Sequence, residues 1–282
     1  MNEAEFIAAL RSIATEPAAR GLMDDAAVLG DLVFTHDMIV EGVHFLSDDP
    51  PEDVAWKLVA VNLSDLAGKG AEPVGCLLGY ALGPPEWNAR FVAGLGEVLT
   101  TYAMPLLGGD TVEANGPRSF GLTAVGRSTH APPRSGAKAG DGLYVTGTIG
   151  RAGMGLSLLQ QGRSGAEVEA YRRPRPRISE GRVLAPVVHA MMDISDGLLI
   201  DAARMAEASR LALTIDLDAV PVAGDPMRAV TAGDDYELLF ATEASPPVES
   251  ARVGYFSPGS GLTLIKAGVA VPLPPSLGWT HG

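Results

Sequence analysis

The chain has 282 residues, 46% of them hydrophobic and 20% charged, which supports one large or two ordinary folded domains and excludes a disordered chain. Lys and Arg number 21 against 34 Asp and Glu, and a net charge of −13 argues against nucleic-acid or anionic-membrane partners. The single cysteine, Cys76, excludes an internal disulfide and a Cys-rich zinc site, and fits a reducing compartment.

The opening MNEAEFIAALRSIATEP lacks the basic start and apolar core of a signal peptide, and no apolar run is long enough to span a bilayer. The expectation is a cytoplasmic protein. Phe6, Ile7, Leu10 and Ile13 recur at helical spacing and predict an amphipathic helix over 3–15. Residues 21–45, GLMDDAAVLGDLVFTHDMIVEGVHF, hold two apolar runs around Gly30-Asp31, the pattern of a β-hairpin. Its two ends meet, so Asp25 and Asp37 become neighbours, and crowded carboxylates repel unless a proton or a cation intervenes. His44 falls at a strand end or loop, open to a structural or a binding role. Pro50-Pro51, Glu52 and Asp53 announce a helix that runs to Gly68. Val54, Leu58 and Val61 form its apolar stripe, and the next member is Asp65, with Asn62 on nearly the same face. An unpaired polar group there costs on the order of 2–7 kcal/mol, so Asp65 reads as a ligand. VGCLLGYAL (74–82) reads as a buried strand with Cys76 an inert core residue, and Phe91, Leu95, Val98 and Tyr102 mark a second helix. PLLGGDT then reads as a strand ending at Gly108, Gly109 and Asp110, where glycines let backbone N–H groups near a ligand and Asp110 can meet a metal. FGLTAVGR (120–127) is a further strand.

Residues 128–141 are rich in Pro, Gly and Ser and divide the chain into an N-terminal domain, 1–130, and a C-terminal one, 131–282. Arg134 in this linker is a candidate phosphate ligand. LYVTGTIG (143–150) reads as a strand, followed by a helix from about 151 to 161. No P-loop and no protein-kinase motif set is present. Arg172, Arg173, Arg175 and Arg177 lie among prolines and read as a solvated connection, with phosphate binding the sharper alternative. A helix is predicted over 178–190. Asp193, Ser195 and Asp196 then stand at the entrance to a helix with the apolar face Leu198, Leu199, Ala202, Met205 and Ala206. Capping explains one of the three. LTIDL is a strand, Asp234-Asp235 precedes the strand YELLFAT, and the short strands VGYF, LTLI and VAVP follow. Trp279, near the end, reads as peripheral packing.

Asp25, Asp37, Asp65, Asp110, Asp193 and Asp196 offer hard oxygen ligands, which select Mg²⁺ or Ca²⁺ over zinc. A dispersed aspartate set at turns suits several Mg²⁺ ions around a polyphosphate. The residues alone thus point to a Mg²⁺-dependent enzyme of phosphoanhydride chemistry, in which the protein positions reactants and neutralises charge.

MDDAAVL, THDMIVEGVHF, AVNLSDLAGKGAEP, LLGGDT, RSGAKAGD, DISDGL and GDDYELLF closely resemble the thiamine-monophosphate kinase family, within the aminoimidazole ribonucleotide synthetase superfamily. The likeness runs from about residue 20 to 242. It implies an N-terminal α/β sheet domain that binds ATP and Mg²⁺ and dimerises, joined to a C-terminal α+β domain with the active site between them. It further implies a homodimer that converts thiamine monophosphate to thiamine diphosphate with ATP, by direct in-line transfer. By the same resemblance Asp25, Thr35, His36, Asp37, Asp65, Asp110, Asp193 and Asp196 match metal positions, with Asp37, Asp65 and Asp110 central to catalysis. Gly109, Asp110, Arg134 and Ser195 match ATP contacts. His44, Asp234 and Trp279 match thiamine-phosphate contacts, with the Trp against the rings. The chain departs from the family pattern at Met23, where glycine is usual, and at His36, where a small hydroxyl residue is common. The rivals are another superfamily synthetase and a non-catalytic nucleotide-binding relative. Residues 1–75 contain no cysteine, which disfavours a selenophosphate synthetase.

Overall fold

Gly30, at φ 65°, and Asp31 make the predicted two-residue turn, joining β1 (Ala27–Leu29) to β2 (Leu32–Val40) with Leu29 opposite Leu32. The structure, a computed structural model, describes residues 3–280. Ahead of the hairpin, α1 (Glu3–Leu10) stops short of the predicted 3–15, because Ile13 stays 75% exposed and no buried face holds another turn. After it come α2 (Pro51–Gly68), β3 (Glu72–Leu82), α3 (Pro85–Thr101), β4 (Leu106–Glu113) and β5 (Ser119–Arg127). The five strands form one sheet in the order β1-β2-β5-β3-β4.

One face of this sheet is covered. Leu58, Leu63 and Leu66 of α2 and Phe91 of α3 are fully buried, and Tyr80, Trp87 and Phe91 close around Phe120 at ring-centroid distances of 4.9, 5.4 and 5.0 Å. The other face is bare, with Leu107 59% exposed and Val74, Leu77 and Val112 also exposed. The strand read as wholly buried is therefore buried on one face only. β4 does not end at Asp110 but continues to Glu113.

The second half builds a seven-stranded sheet, ordered β12-β11-β8-β10-β6-β9-β7. Its elements are β6 (Gly142–Val145), α4 (Arg151–Gln160), α5 (Glu167–Arg172), α6 (Ile178–Leu184), β7 (Ala190–Asp193), α7 (Leu198–Ser209) and β8 (Ala212–Asp216). They continue with α8 (Pro226–Thr231), β9 (Leu238–Thr242), β10 (Ala251–Ser257), β11 (Gly261–Lys266) and β12 (Val269–Val271). The predicted face of α7 is buried throughout. Two predictions fail here. The strand over 143–150 ends at Val145, since Gly147 and Gly150 take φ 56° and 88°. The helix over 178–190 ends at Leu184, and residues 190–193 are instead β7, buried on both sides; a short apolar run does not separate buried helix from buried strand.

α2 joins the halves. A Cβ on Gly181 of α6 would lie 2.1 Å from the Ala67 carbonyl, and one on Gly68 would lie 3.3 Å from the Asp193 backbone. Only glycine permits the first approach. The arginine segment seals the same seam and is not a solvated connection. Arg172 pairs with Asp49 at 2.7 Å, Arg173 with Asp53 at 2.6 Å, and the Trp56 indole donates to the Pro174 carbonyl at 3.0 Å.

Candidate active site

α2 carries Val54, Leu58 and Val61 into the core and so delivers Asp65 to the seam near its C-terminal end. There Asp65 accepts a hydrogen bond from the Thr35 hydroxyl on β2, and Asn62 Oδ1 accepts the Asp37 backbone N–H at 3.1 Å. Those two bonds fix α2 against β2 with Asp37 and Asp65 side by side. The close passage of Gly68 under β7 adds Asp193. One carboxylate oxygen from each of Asp25, Asp65 and Asp193 lies within 4.8 Å of the others.

Burial dominates the electrostatics. It pushes Asp37 up to about 6, with the charges of Asp25 and Asp196 acting in the same direction. Asp193 rises to about 8 from burial and the Asp25 charge, and burial with the Asp37 and Asp193 charges takes Asp65 well above the usual carboxylate range. Converging, desolvated carboxylates are the donor set that a hard divalent cation satisfies, so these residues fit Mg²⁺. Asp25 differs. Burial raises it too, but the Lys69 ammonium at 3.0 Å and the Arg134 guanidinium hold its carboxyl well below the usual range. Arg134 keeps its Nε buried without a hydrogen-bond partner, as a group built to meet an anion would.

Asp193, Ser195 and Asp196 lie on the turn between β7 and α7, and a residue overlooked in the sequence shapes it. Asp201, fully buried on the first turn of α7, accepts the backbone N–H groups of Ser195, Asp196 and Gly197 at 3.1, 3.0 and 3.3 Å. Arg204 bridges Asp196 at 2.5 Å and Asp201 at 2.8 Å. The available signal was an acid four residues after Gly197, at the point where helix-entry N–H groups converge. Lys57 and Lys69 were overlooked as well, because their partners lie far away in sequence.

A cavity of about 490 Å³ opens over this turn, lined from one half by Asp37, His44 and Asp65 and from the other by Asp193, Ser195, Asp196, Asp234 and Trp279. His44 Nδ1 accepts the Val40 N–H at 3.0 Å, so its neutral ring carries the proton on Nε2. Trp279 is not peripheral packing. Its backbone N–H donates to the Asp196 carbonyl at 2.9 Å, and a Cβ on the preceding Gly278 would lie 2.5 Å from that same oxygen.

The structure does not bring every candidate together. Strand register sets Asp110 opposite Gly79, which pairs with Gly121 and through it with Met38, so Asp110 lies on the bare face of the sheet. The His36 ring, bonded through Nδ1 to the Thr123 hydroxyl at 2.9 Å, is exposed on that face too. Gly109 lies tight against the neighbouring strand β3, where a Cβ would lie 2.0 Å from the Leu78 carbonyl. Met23 sits at φ −113° and needs no glycine.

Two family models match the chain, the N-terminal domain of AIR synthase related protein over residues 23–128 and its C-terminal domain over 138–271. The chain is 36% identical to the thiamine-monophosphate kinase of Caulobacter vibrioides over 308 residues, covering 95% of this chain and 86% of that one. The chain belongs to the thiamine-monophosphate kinase family. The Salmonella typhimurium thiamine-monophosphate kinase is 37% identical over 78% of this chain and 75% of its own length. A solved structure of AaThiL complexed with AMPPCP and TMP superposes with a TM-score of 0.89 at 27% identity, covering 100% of this chain and 97% of that one. Membership in the thiamine-monophosphate kinase family accounts for the two-domain α/β and α+β architecture. No helix among the described residues is long and apolar enough to cross a membrane.

Proposed function

We propose that the chain phosphorylates thiamine monophosphate to thiamine diphosphate with ATP, by direct in-line transfer in the cavity between its two halves. The observation that carries this is the convergence of Asp37, Asp65 and Asp193 on one wall of that cavity, with His44, Asp234 and Trp279 around its rim. Asp25, Asp37, Asp65, Asp193 and Asp196 would hold Mg²⁺, with Thr35 steadying Asp65 and His36 contributing at most its backbone carbonyl. Bound Mg²⁺ supplies charge neutralisation between two phosphorylated reactants. Arg134 and the Ser195 turn face the nucleotide phosphates, and Trp279, 53% exposed, offers its ring face to the thiamine. His44 and Asp234 bracket the acceptor from opposite halves.

Asp110 enters through a second copy. Three strand spacings of roughly 4.8 Å separate β4 from β2, too far for Asp110 to join Asp37 within one chain. The bare apolar face that carries Asp110 is the surface a second copy would cover, which supports a homodimer in which Gly109 and Asp110 complete the partner's nucleotide site. We assign residues 1–130 to nucleotide binding, metal binding and dimerisation, and residues 131–282 to the second domain. The lone buried Cys76, its thiol pushed up to about 11 by burial, suits a reducing cytoplasm.

Purified protein with ATP, Mg²⁺ and thiamine monophosphate is expected to yield thiamine diphosphate and ADP, and Asp37→Asn to abolish turnover with the fold intact. A fully active Asp37→Asn enzyme contradicts the metal role. Activity on selenide or on a purine precursor, with none on thiamine monophosphate, favours another superfamily enzyme.

A further inference from the structure

Lys57 is almost fully buried on α2, directly behind the cavity wall rather than on it. Its Nζ donates to the His44 carbonyl at 2.8 Å and to Asp234 Oδ2 at 2.8 Å, and it sits 3.9 Å from the centre of the Tyr171 ring. The Tyr171 hydroxyl donates to that same His44 carbonyl at 3.4 Å. One ammonium therefore gathers a loop of the first half, a carboxylate of the second and the aromatic end of the arginine strap.

The far side of Asp234 is held as well. Tyr236 donates its hydroxyl to Asp234 Oδ1 at 3.0 Å, so each carboxylate oxygen has its own donor, one from each half. Asp234 and Tyr236 take φ 67° and 52°, a backbone region that side-chain-bearing residues avoid, and such conformations persist only where surrounding bonds over-determine them. The Asp234 N–H to Ser195 carbonyl bond at 2.8 Å and the Tyr236 N–H to Ile194 carbonyl bond at 2.8 Å tie this strained segment to the turn that carries Asp193. His44, Tyr171, Asp234 and Tyr236 all face the cavity.

We propose that Lys57 is the positioning residue of the acceptor subsite, clamping His44, Tyr171 and Asp234 into one rigid wall across the seam; this takes the cavity to be the thiamine-monophosphate site proposed above. The ammonium also offsets the Asp234 charge locally. Asp234 then acts as an oriented hydrogen-bond acceptor for the substrate. The nucleotide side, built on Arg134 and the Ser195 turn, has no direct bond to Lys57 and meets the clamp only through the Asp234 and Tyr236 backbone bonds to that turn, which substitution of Lys57 does not remove.

Calorimetric titration of the full chain with thiamine monophosphate, and separately with AMPPCP and Mg²⁺, tests this in wild type, Lys57→Met, Lys57→Arg, Asp234→Asn and the Lys57→Met/Asp234→Asn pair. Loss of the clamp is expected to weaken acceptor binding by about tenfold to a hundredfold, with nucleotide affinity within about twofold of wild type. Lys57→Arg, which keeps the charge but not the geometry, is expected to show the same split and serves if Lys57→Met does not fold. The two substitutions are expected to be strongly non-additive, since each breaks the same bond. Wild-type acceptor affinity in a folded Lys57→Met or Lys57→Arg protein, or simple additivity with Asp234→Asn, overturns the clamp. A wild-type chain that binds nucleotide but no thiamine monophosphate overturns the functional proposal and the clamp together.

Discussion

The acidic centre has two sides that differ in one respect, the company each carboxylate keeps. At the Asp24–Asp25 corner, Lys69 is fully buried and contacts Asp24 at 2.5 Å and Asp25 at 3.0 Å, while Arg20 reaches Asp24 at 2.6 Å and Arg134 reaches Asp25. On the Asp37–Asp65–Asp193 wall the carboxylates face mainly one another, and burial with mutual repulsion pushes them up. Burial is common to both sides, so it does not distinguish them. The protein has spent its own cations on one side and left the other to be neutralised from outside, which is where a divalent ion gains most.

The sharpest way to break that contrast is to remove a carboxylate from the wall. Asp65→Asn and Asp193→Asn are each expected to lower turnover by on the order of a thousandfold, by analogy with loss of a preorganised charge-stabilising group. Metal-free thermal stability is expected to hold or rise, because a buried carboxyl that must either hold a proton or repel its neighbours has gone. Parallel turnover assays and melting curves in chelator check both halves of this statement. A large fall in metal-free stability would show that the wall is compensated after all.

The corner should respond the other way. Asp25→Asn leaves the buried Lys69 with Asp24 as its one carboxylate partner, and breaking buried ion pairs typically costs about 3 kcal/mol or more. Denaturant unfolding in chelator is expected to show that loss for Asp25→Asn and none for Asp65→Asn. Equal stabilities for the two variants would erase the distinction between the sides.

How far the sequence reaches follows the same line. Local pattern was enough for the hairpin, since Gly30-Asp31 is a turn signal with apolar runs on both sides, and for the delivery of Asp65, since its helix stripe extends to it. Pattern failed where partners are distant. Lys69 and Asp25 are 44 residues apart, and Arg134 and Asp25 109 apart, so nothing local said which aspartates are paired. The arginine segment looked solvated because Asp49, Asp53 and Glu237, the last paired with Arg177 at 2.5 Å, lie outside any window around it. The helix predicted over 178–190 was carried past Leu184 to the start of β7, because an apolar run carries no period of its own when both faces are buried. Asp110 marks a different limit: its strand was legible, but the face it occupies depends on pleat and register.

The smallest expected effect is a difference in pH response. A carboxyl whose folded pKa lies above its ordinary 3.8 keeps its proton in the native chain when the unfolded chain has already lost it. Stability from Asp37 and Asp193 is therefore fully present below 3.8 and is lost as pH rises, up to about 6 for Asp37 and about 8 for Asp193. Asp25 has the opposite sign: its contribution is present above 3.8 and is lost as pH falls. The two sides partly cancel in a plain melting curve. Mg²⁺ separates them, because it competes with protons on the wall but not at Asp25, whose lowered pKa leaves it ionised through this range. The rise in melting temperature on adding Mg²⁺ is thus expected to be larger at pH 8 than at pH 5.5, by roughly 2–4 °C for each kcal/mol of linked stabilisation. Asp193→Asn should flatten that pH dependence, whereas Asp25→Asn, which removes a ligand already ionised at both pH values, should lower the Mg²⁺ effect about equally at the two. A Mg²⁺ effect that grows as pH falls would place the ion somewhere other than the wall.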